Sequence, residues 1–324
     1  MSLINPITLL AGMLCLTSCG SKSNAAGAAE RAEAAVTPPA VEFNADSAYS
    51  YVSRQVAFGP RVPGTEAHAL CGDWLETELR RHGAAVTTQQ AQLTCFDGKS
   101  FKARNILGRY QPGKKERILL LAHWDCRPWA DADPDPANHS KPVDGANDGA
   151  SGVGVLLELA RNLNAHSPEK GVDILFVDLE DRGTEGDESS WALGARHFME
   201  NPPIADYSPE YAILLDMVGG SGATFCREYF SEQAAPEVAA AIWGEAHRSG
   251  YADFFLNRMG GAVTDDHVQL IEHGIPAIDI IEYHPDNESG FNPRWHTLSD
   301  NMHGIDRATL KAVGQTVTNH IFSK

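Results

Sequence analysis

Two adjacent carboxylates, Glu180 and Asp181, follow the apolar run Ile174-Leu175-Phe176-Val177-Asp178-Leu179. A buried strand that ends in two acids delivers both to the mouth of a sheet, where open α/β folds place their chemistry. Neighbouring carboxylates divide labour readily: one ligates a cation while the other, held at a different pKa, moves protons. A surface Glu-Asp pair opening a loop is the ordinary explanation of such a dipeptide, but its company argues otherwise. Asp148, Asp216, Asp265 and His296 fall at other strand ends or loops, and His123, Asp125, Asp266 and His267 extend the set. Each has a routine alternative. Asp148 suits a helix N-cap, Asp216 suits a turn before Met217-Val218-Gly219-Gly220, and His267 and His296 suit satisfied histidines. Together they point to a metal centre, because catalytic zinc takes three His or carboxylate ligands and keeps its fourth position open.

Competing motifs are missing from the sequence. Gly149-Ala150-Ser151-Gly152-Val153-Gly154 precedes a helical pattern but lacks the G-x-G-x-x-G spacing, and no P-loop pattern occurs, which disfavours nucleotide binding. Neither Ser151 nor Ser221 lies in a full G-x-S-x-G elbow, and no H-E-x-x-H is present. The small residues after Asp148 instead suit a helix that packs closely against a sheet.

The 324 residues hold 26 Lys+Arg against 43 Asp+Glu, a formal net charge of −17. That excess disfavours nucleic acid and anionic membranes as partners and favours a metal cation or a substrate with a free amine. The apolar stretch Ile7 to Leu16 is too short to span a bilayer and runs into Leu16-Thr17-Ser18-Cys19-Gly20. This reads as a signal peptide over residues 1–19 with Cys19 as a lipidated new N-terminus, or as a plain secretory signal cut near the same point. Residues 20–40, rich in Ala, Ser, Gly and Pro, read as a tether, and 41–324 as one catalytic domain. The expected location is a bacterial periplasm, with membrane contact only through the lipid anchor. Cys71, Cys95, Cys126 and Cys226 have no C-x-x-C spacing, and a Cys71–Cys95 disulfide is one pairing the sequence allows.

The elements that must position the acids follow from periodicity. Helices are predicted over Ser47–Phe58, Glu66–His82, Ser151–Asn164, Ser190–Glu200, Val238–Ser249, Asp266–His273 and Arg307–Ile321. Strands are predicted over Ala85–Thr94, Ala103–Tyr110, Arg117–Ala122, Val172–Leu179, Tyr211–Leu215, Asp253–Asn257 (an edge) and Ile275–Ile281. Their alternation implies an α/β fold with a mixed, mostly parallel sheet and helices on both faces.

The ordered set His123-x-Asp125, Asp148, Glu180-Asp181, Asp216, Asp265-Asp266-His267 and Trp295-His296-Thr297 resembles the zinc-dependent glutaminyl cyclases of animal type and their bacterial counterparts. These share a three-layer fold with the M28 zinc aminopeptidases. The resemblance runs from about Ser47 to the C-terminus. It implies a zinc ion on Asp148, Asp181 and His296, with Glu180 as general base and acid. Asp216 and Asp265 would join Glu180 in a carboxylate hydrogen-bond network, and Trp191 and Trp295 would wall the substrate pocket. The implied partner is a peptide or protein with an N-terminal Gln, converted to pyroglutamate with loss of ammonia by a monomeric enzyme. The animal enzymes carry Glu where this chain has Asp181, and the segment between Ile281 and Trp295 is longer here. The alternative is a secreted M28-type aminopeptidase, since His123, Asp148, Asp181, Asp216 and His296 together also suffice for two metals. Asp265, where aminopeptidases commonly have Ser, and Trp295 before the metal histidine favour the cyclase. A binding module with dead chemistry is disfavoured because every expected acid is present.

Overall fold

The protein is described by a computed structural model that covers residues 41–287 and 289–323; the expected signal peptide, tether and Cys19 lie outside the described residues. The described residues form eight strands, β1 (Ala85–Thr94), β2 (Ser100–Tyr110), β3 (Arg117–His123), β4 (Gly171–Val177), β5 (Tyr211–Asp216), β6 (Phe225–Arg227), β7 (Phe255–Met259) and β8 (Ala277–Ile281). The main sheet has the order β1-β2-β4-β3-β5-β8, antiparallel across β1/β2 and β2/β4 and parallel from β4 to β8. The C-terminal ends of β4, β3, β5 and β8 therefore lie along one edge. Register places His123 beside Val177 and Asp216 beside Ile281.

Every residue of β3 and β4 is buried, as largely apolar strands sandwiched between helices should be. Side chains alternate between faces. Ile118, Leu120, Ile174, Phe176, Ile213 and Leu215 pack into one core with α1 (Ala45–Val56), α2 (Glu66–Arg81), α3 (Ala150–Ala165), α6 (Pro236–Arg248) and α8 (Arg307–Phe322). Leu119, Leu121, Leu175, Val177 and Leu214 pack on the opposite face against α4 (Leu193–Glu200) and α7 (Asp266–Glu272). The result is the expected three-layer architecture.

Local chemistry sets the helix starts. The side chains of Asn44, Thr65 and Asp306 accept backbone N–H groups in the first turns of α1, α2 and α8. Glu228 does the same for α5 (Tyr229–Ala234). Helix α3 begins instead at Gly149 (φ +51°), where a Cβ would come within 2.6 Å of His123 Cε1. At Gly152 a Cβ would collide with the carbonyl of Leu215 in β5. The small-residue run thus seats the start of α3 directly on the sheet.

Several boundaries differ from the sequence reading. Strand β4 stops at Val177 rather than Leu179, because Leu179 adopts φ +55° and the Asp178 carboxylate accepts the Leu179 N–H. Helix α4 starts at Leu193, after a single 3₁₀ turn at Glu188–Ser190. The expected edge strand at Asp253–Asn257 is β7, which pairs in parallel with the unforeseen β6 in a separate two-stranded sheet. The four cysteines of the domain are all free and buried, so Cys71 and Cys95 are not bridged.

Candidate metal centre and active-site cavity

Each acid reaches the sheet edge by its own device. Asp148 lies in the turn before α3, and the Asp300 carboxylate accepts the N–H groups of Asn147 (2.7 Å) and Asp148 (3.2 Å). Glu180 and Asp181 follow the left-handed Leu179, and the two oxygens of Asp125 accept their N–H groups at 3.2 and 3.3 Å. Asp216 ends β5, ahead of the left-handed Met217 (φ +47°), whose N–H it accepts. His296 is itself left-handed (φ +55°). Asp265 caps α7 by accepting the Asp266 N–H at 2.5 Å.

These residues form two groups that share Asp148. Asp148, Asp181 and His296 bring their ligand atoms together, as do His123, Asp148 and Asp216. His296 Nε2 lies 3.2 Å from Asp181 Oδ1 and 3.6 Å from Asp148 Oδ2. His123 Nε2 lies 3.0 Å from Asp148 Oδ1 and 3.1 Å from Asp216 Oδ1. Both carboxylate oxygens of Asp181 are buried without a protein hydrogen-bond partner. A buried carboxylate without hydrogen bonds is costly, and a cation held by carboxylate and imidazole donors would relieve it. The donor set suits zinc.

Electrostatics separates the acids by role. Asp148 is held below the usual carboxylate range: burial opposes this, but the hydrogen bond and charge of His123, aided by His296 and Arg127, prevail. Burial and the neighbouring Asp148 push Asp181 up to about 6, against the pull of His296 and Arg127. Burial likewise pushes Asp216 up to about 7, Asp148 and Asp265 adding to it and His123 opposing. Glu180 is raised well above the carboxylate range by burial, then by Asp265, Asp181 and Asp266, with His123 opposing. Asp265 is raised by burial. A buried acid of high proton affinity beside a cation site is suited to general acid–base work.

A cavity of about 330 Å³ opens over this edge, and the eight residues given a role by the family resemblance all line it: Asp148, Glu180, Asp181, Trp191, Asp216, Asp265, Trp295 and His296. The Trp295 ring stacks on His296 at 3.6 Å between centroids, and Trp191 lies at 6.2 Å from the same imidazole, each 20° from parallel. Phe291 packs on Trp295 at 4.8 Å. The expected hydrogen-bond network of Glu180, Asp216 and Asp265 is not formed directly. Among the described residues no hydrogen bond joins their side chains; Asp216 bonds to His123, and Asp265 Oδ2 is buried without a partner. Three acceptors need a shared proton or a ligand between them, so their coupling here is through charge. His267 is not brought to the cavity: it pairs with Glu228 at 3.2 Å in the interior.

Sequence reasoning passed over the residues that hold the acids in place. Asp125 was visible only as part of His123-x-Asp125, and its grip on both N–H groups of the Glu180–Asp181 pair has no sequence signature. Asp300, which supports Asp148 from 152 residues away, carried no signal at all.

The profile of peptidase family M28 matches residues 105–321. Among solved structures, a glutaminyl cyclase of Porphyromonas gingivalis is 52% identical with a TM-score of 0.85, over 86% of this chain and 98% of that one. A Zn-dependent exopeptidase of Parabacteroides distasonis is 52% identical with a TM-score of 0.86, over 87% and 99%. Among curated relatives, the glutaminyl-peptide cyclotransferase of Bos taurus is 24% identical over 246 residues, covering 67% of this chain and 64% of the bovine protein. The chain thus spans just under two thirds of that relative's length.

Proposed function

The chain belongs to peptidase family M28, and from that premise we propose that it is a zinc-dependent glutaminyl-peptide cyclotransferase. Its substrates are peptides or proteins with an N-terminal Gln, which it converts to pyroglutamate with release of ammonia. The observation that carries this reading is the pairing, in one cavity, of a buried high-affinity proton acceptor with an indole slot. Glu180 shares the cavity with the cation site and Asp265, and the rings of Trp191 and Trp295 lie near-parallel to that of His296.

In the reaction the α-amine of the Gln attacks its own side-chain amide carbon, the new C–N bond closes a five-membered ring, and the original amide C–N bond breaks. Zinc on Asp148, Asp181 and His296 supplies Lewis-acid polarisation when bound. Trp191 and Trp295 confine the Gln side chain in a folded-back pose, which raises the effective concentration of the amine at its target. Glu180 takes the proton that the amine loses and returns it to the departing nitrogen, which leaves as ammonia. Burial, and after it the charges of Asp265, Asp181 and Asp266, raise the proton affinity of Glu180 and thereby keep it matched to an amine.

The exopeptidase reading draws on the complete His123–Asp148–Asp216 group, which offers a second cation position. One experiment decides between them. The purified protein, incubated with Gln-initiated peptides and followed by mass spectrometry, yields a product lighter by one ammonia. Glu180→Gln abolishes the product while zinc stays bound. Release of free N-terminal amino acids with two metals per chain would overturn the cyclase reading.

We further infer that the enzyme is exported and anchored through a lipidated Cys19, a reading supported by the apolar run before Leu16-Thr17-Ser18-Cys19. None of the described helices is long and apolar enough to cross a membrane. Labelled fatty acid should enter the intact chain but not Cys19→Ser. The catalytic domain should run as a monomer in gel filtration.

A further inference from the structure

Behind the Asp181–His296 side of the centre lies a buried guanidinium that the reaction as described leaves without a task. Arg127 sits in the long loop after β3 with its side chain 4% exposed. Its Nη1 donates to the backbone carbonyls of Gly183 (2.9 Å) and Asp181 (3.3 Å) and lies 3.7 Å from Asp181 Oδ1. Its Nε and Nη2 form a two-pronged pair with the Asp131 carboxylate at 3.2 and 2.5 Å. Asp131 Oδ1 in turn lies 3.5 Å from Nδ1 of His296, the ring nitrogen that faces away from Asp148 and Asp181. The guanidinium also stands 4.9 Å from the Trp191 ring and 5.2 Å from that of Trp129.

The loop around this pair is clipped to the segment that carries His296. Ala132 N–H donates to the His296 carbonyl at 3.2 Å, and Asp133 Oδ2 accepts the Leu298 N–H at 3.0 Å. One side chain therefore touches the backbone of one ligand, the carboxylate behind a second ligand, and the face of an indole that walls the cavity. The planar fork of Arg can hold these directions at once, whereas a lysine ammonium cannot. A carboxylate behind a ligating histidine sets which nitrogen carries the proton and how the ring is turned.

We propose that Arg127 and Asp131 are a positioning pair that fixes Asp181 and His296 in ligand geometry and sets the angle of the Trp191 wall. Neither touches the substrate; both act through the residues they hold. The proposal rests on the reading that Asp148, Asp181 and His296 bind zinc.

The test uses the whole protein loaded with zinc, with Asp131→Asn, Arg127→Lys and the double variant. Asp131→Asn is the milder change, since that side chain is 44% exposed, and it guards against a fold failure in Arg127→Lys. The readouts are zinc transfer to a chromogenic chelator, kcat and KM on a Gln-initiated peptide, and the thermal midpoint of the metal-free protein. The expected result is a loss of zinc affinity of about 10–100-fold in each single variant, the range for residues behind metal ligands. In Asp131→Asn kcat falls with KM little changed, and Arg127→Lys adds a rise in KM through Trp191. The double variant is no worse than the weaker single by more than about threefold, because both changes break one unit. Wild-type zinc retention in both single variants would overturn the proposal even if their stability or turnover fell. Should the wild-type protein bind zinc but fail to cyclise Gln, the proposed activity falls and the chelator result still judges the pair.

Discussion

Replacing Glu228 with Gln removes one charge that five donors converge on. Glu228 Oε1 accepts the N–H groups of Phe230 (2.9 Å) and Val263 (3.1 Å), while Oε2 accepts the Ser231 N–H and hydroxyl, each at 2.7 Å, and His267 Nε2 at 3.2 Å. Burial alone would raise this carboxyl, but His267 and the backbone N–H groups outweigh it and hold the group down at about 2 against an ordinary 4.5. At about 1.36 kcal/mol per pH unit this corresponds to about 3 kcal/mol of folded-state preference for the charged form. Because the folded value is depressed, that stability is fully present above about pH 4.5 and is lost as pH falls toward about 2. A glutamine keeps one acceptor oxygen and turns an NH₂ toward the remaining donors, so Glu228→Gln should forfeit most of it. The assay is urea unfolding of both proteins at several pH values between 7 and 2. Wild type should be the more stable by about 3 kcal/mol at pH 7, and the gap should close between about pH 4.5 and 2. Other acids titrate in both proteins and cancel in the difference. A gap that stays constant across the whole range would refute the reasoning, since the loss would then come from packing and not from the charge. Val263 lines the cavity, so the variant should also raise KM at neutral pH.

Asp125→Asn leaves one of the two N–H groups of Glu180 and Asp181 facing an amide; a lost hydrogen bond to a charged group is worth about 1.5–3 kcal/mol. A fall in kcat larger than the fall in thermal midpoint implies is the expected result, read from kinetics and calorimetry on the same preparation. Gly152→Ala drives a methyl into the Leu215 carbonyl and should cost about 1–3 kcal/mol by forcing α3 off the sheet, visible in chemical unfolding. Stripping the metal with a chelator should lower the thermal midpoint, and zinc should restore it. At free zinc about 1,000 times the dissociation constant the restored stability is about 4 kcal/mol.

The strands that carry the acids were legible because β3, β4 and β5 are buried on both faces and read as largely apolar runs ending in charge. Glu180, Asp181 and Asp216 were legible for the same reason; Asp148, Asp265 and His296 stood out only in their company, and Trp191 and Trp295 came from the family resemblance. The order of strands was not legible: β4 lies between β2 and β3, and hydrophobic pattern says nothing of neighbours. β6 and α5, with three and six residues, are too short to show a period. Leu179 misled because an apolar residue after Val177-Asp178 continues a strand pattern, while its backbone turns left-handed. Arg127 and Asp131 lie in an irregular loop, and their contacts run to residues 54 to 165 positions away, which no local spacing encodes.

The left-handed backbone at Leu179, Met217 and His296 solves a problem of parity. An extended strand sends consecutive side chains to opposite faces, so two adjacent residues within one strand do not both serve one cavity. Yet Glu180 and Asp181, Asp216 and Met217, and Trp295 and His296 all do so. Each of these pairs contains or adjoins Leu179, Met217 or His296, where φ is positive. Left-handed conformations cost about 1–2 kcal/mol for residues with a Cβ. Leaving the extended conformation at these three places lets neighbouring residues face one cavity, which strict strand alternation would not allow.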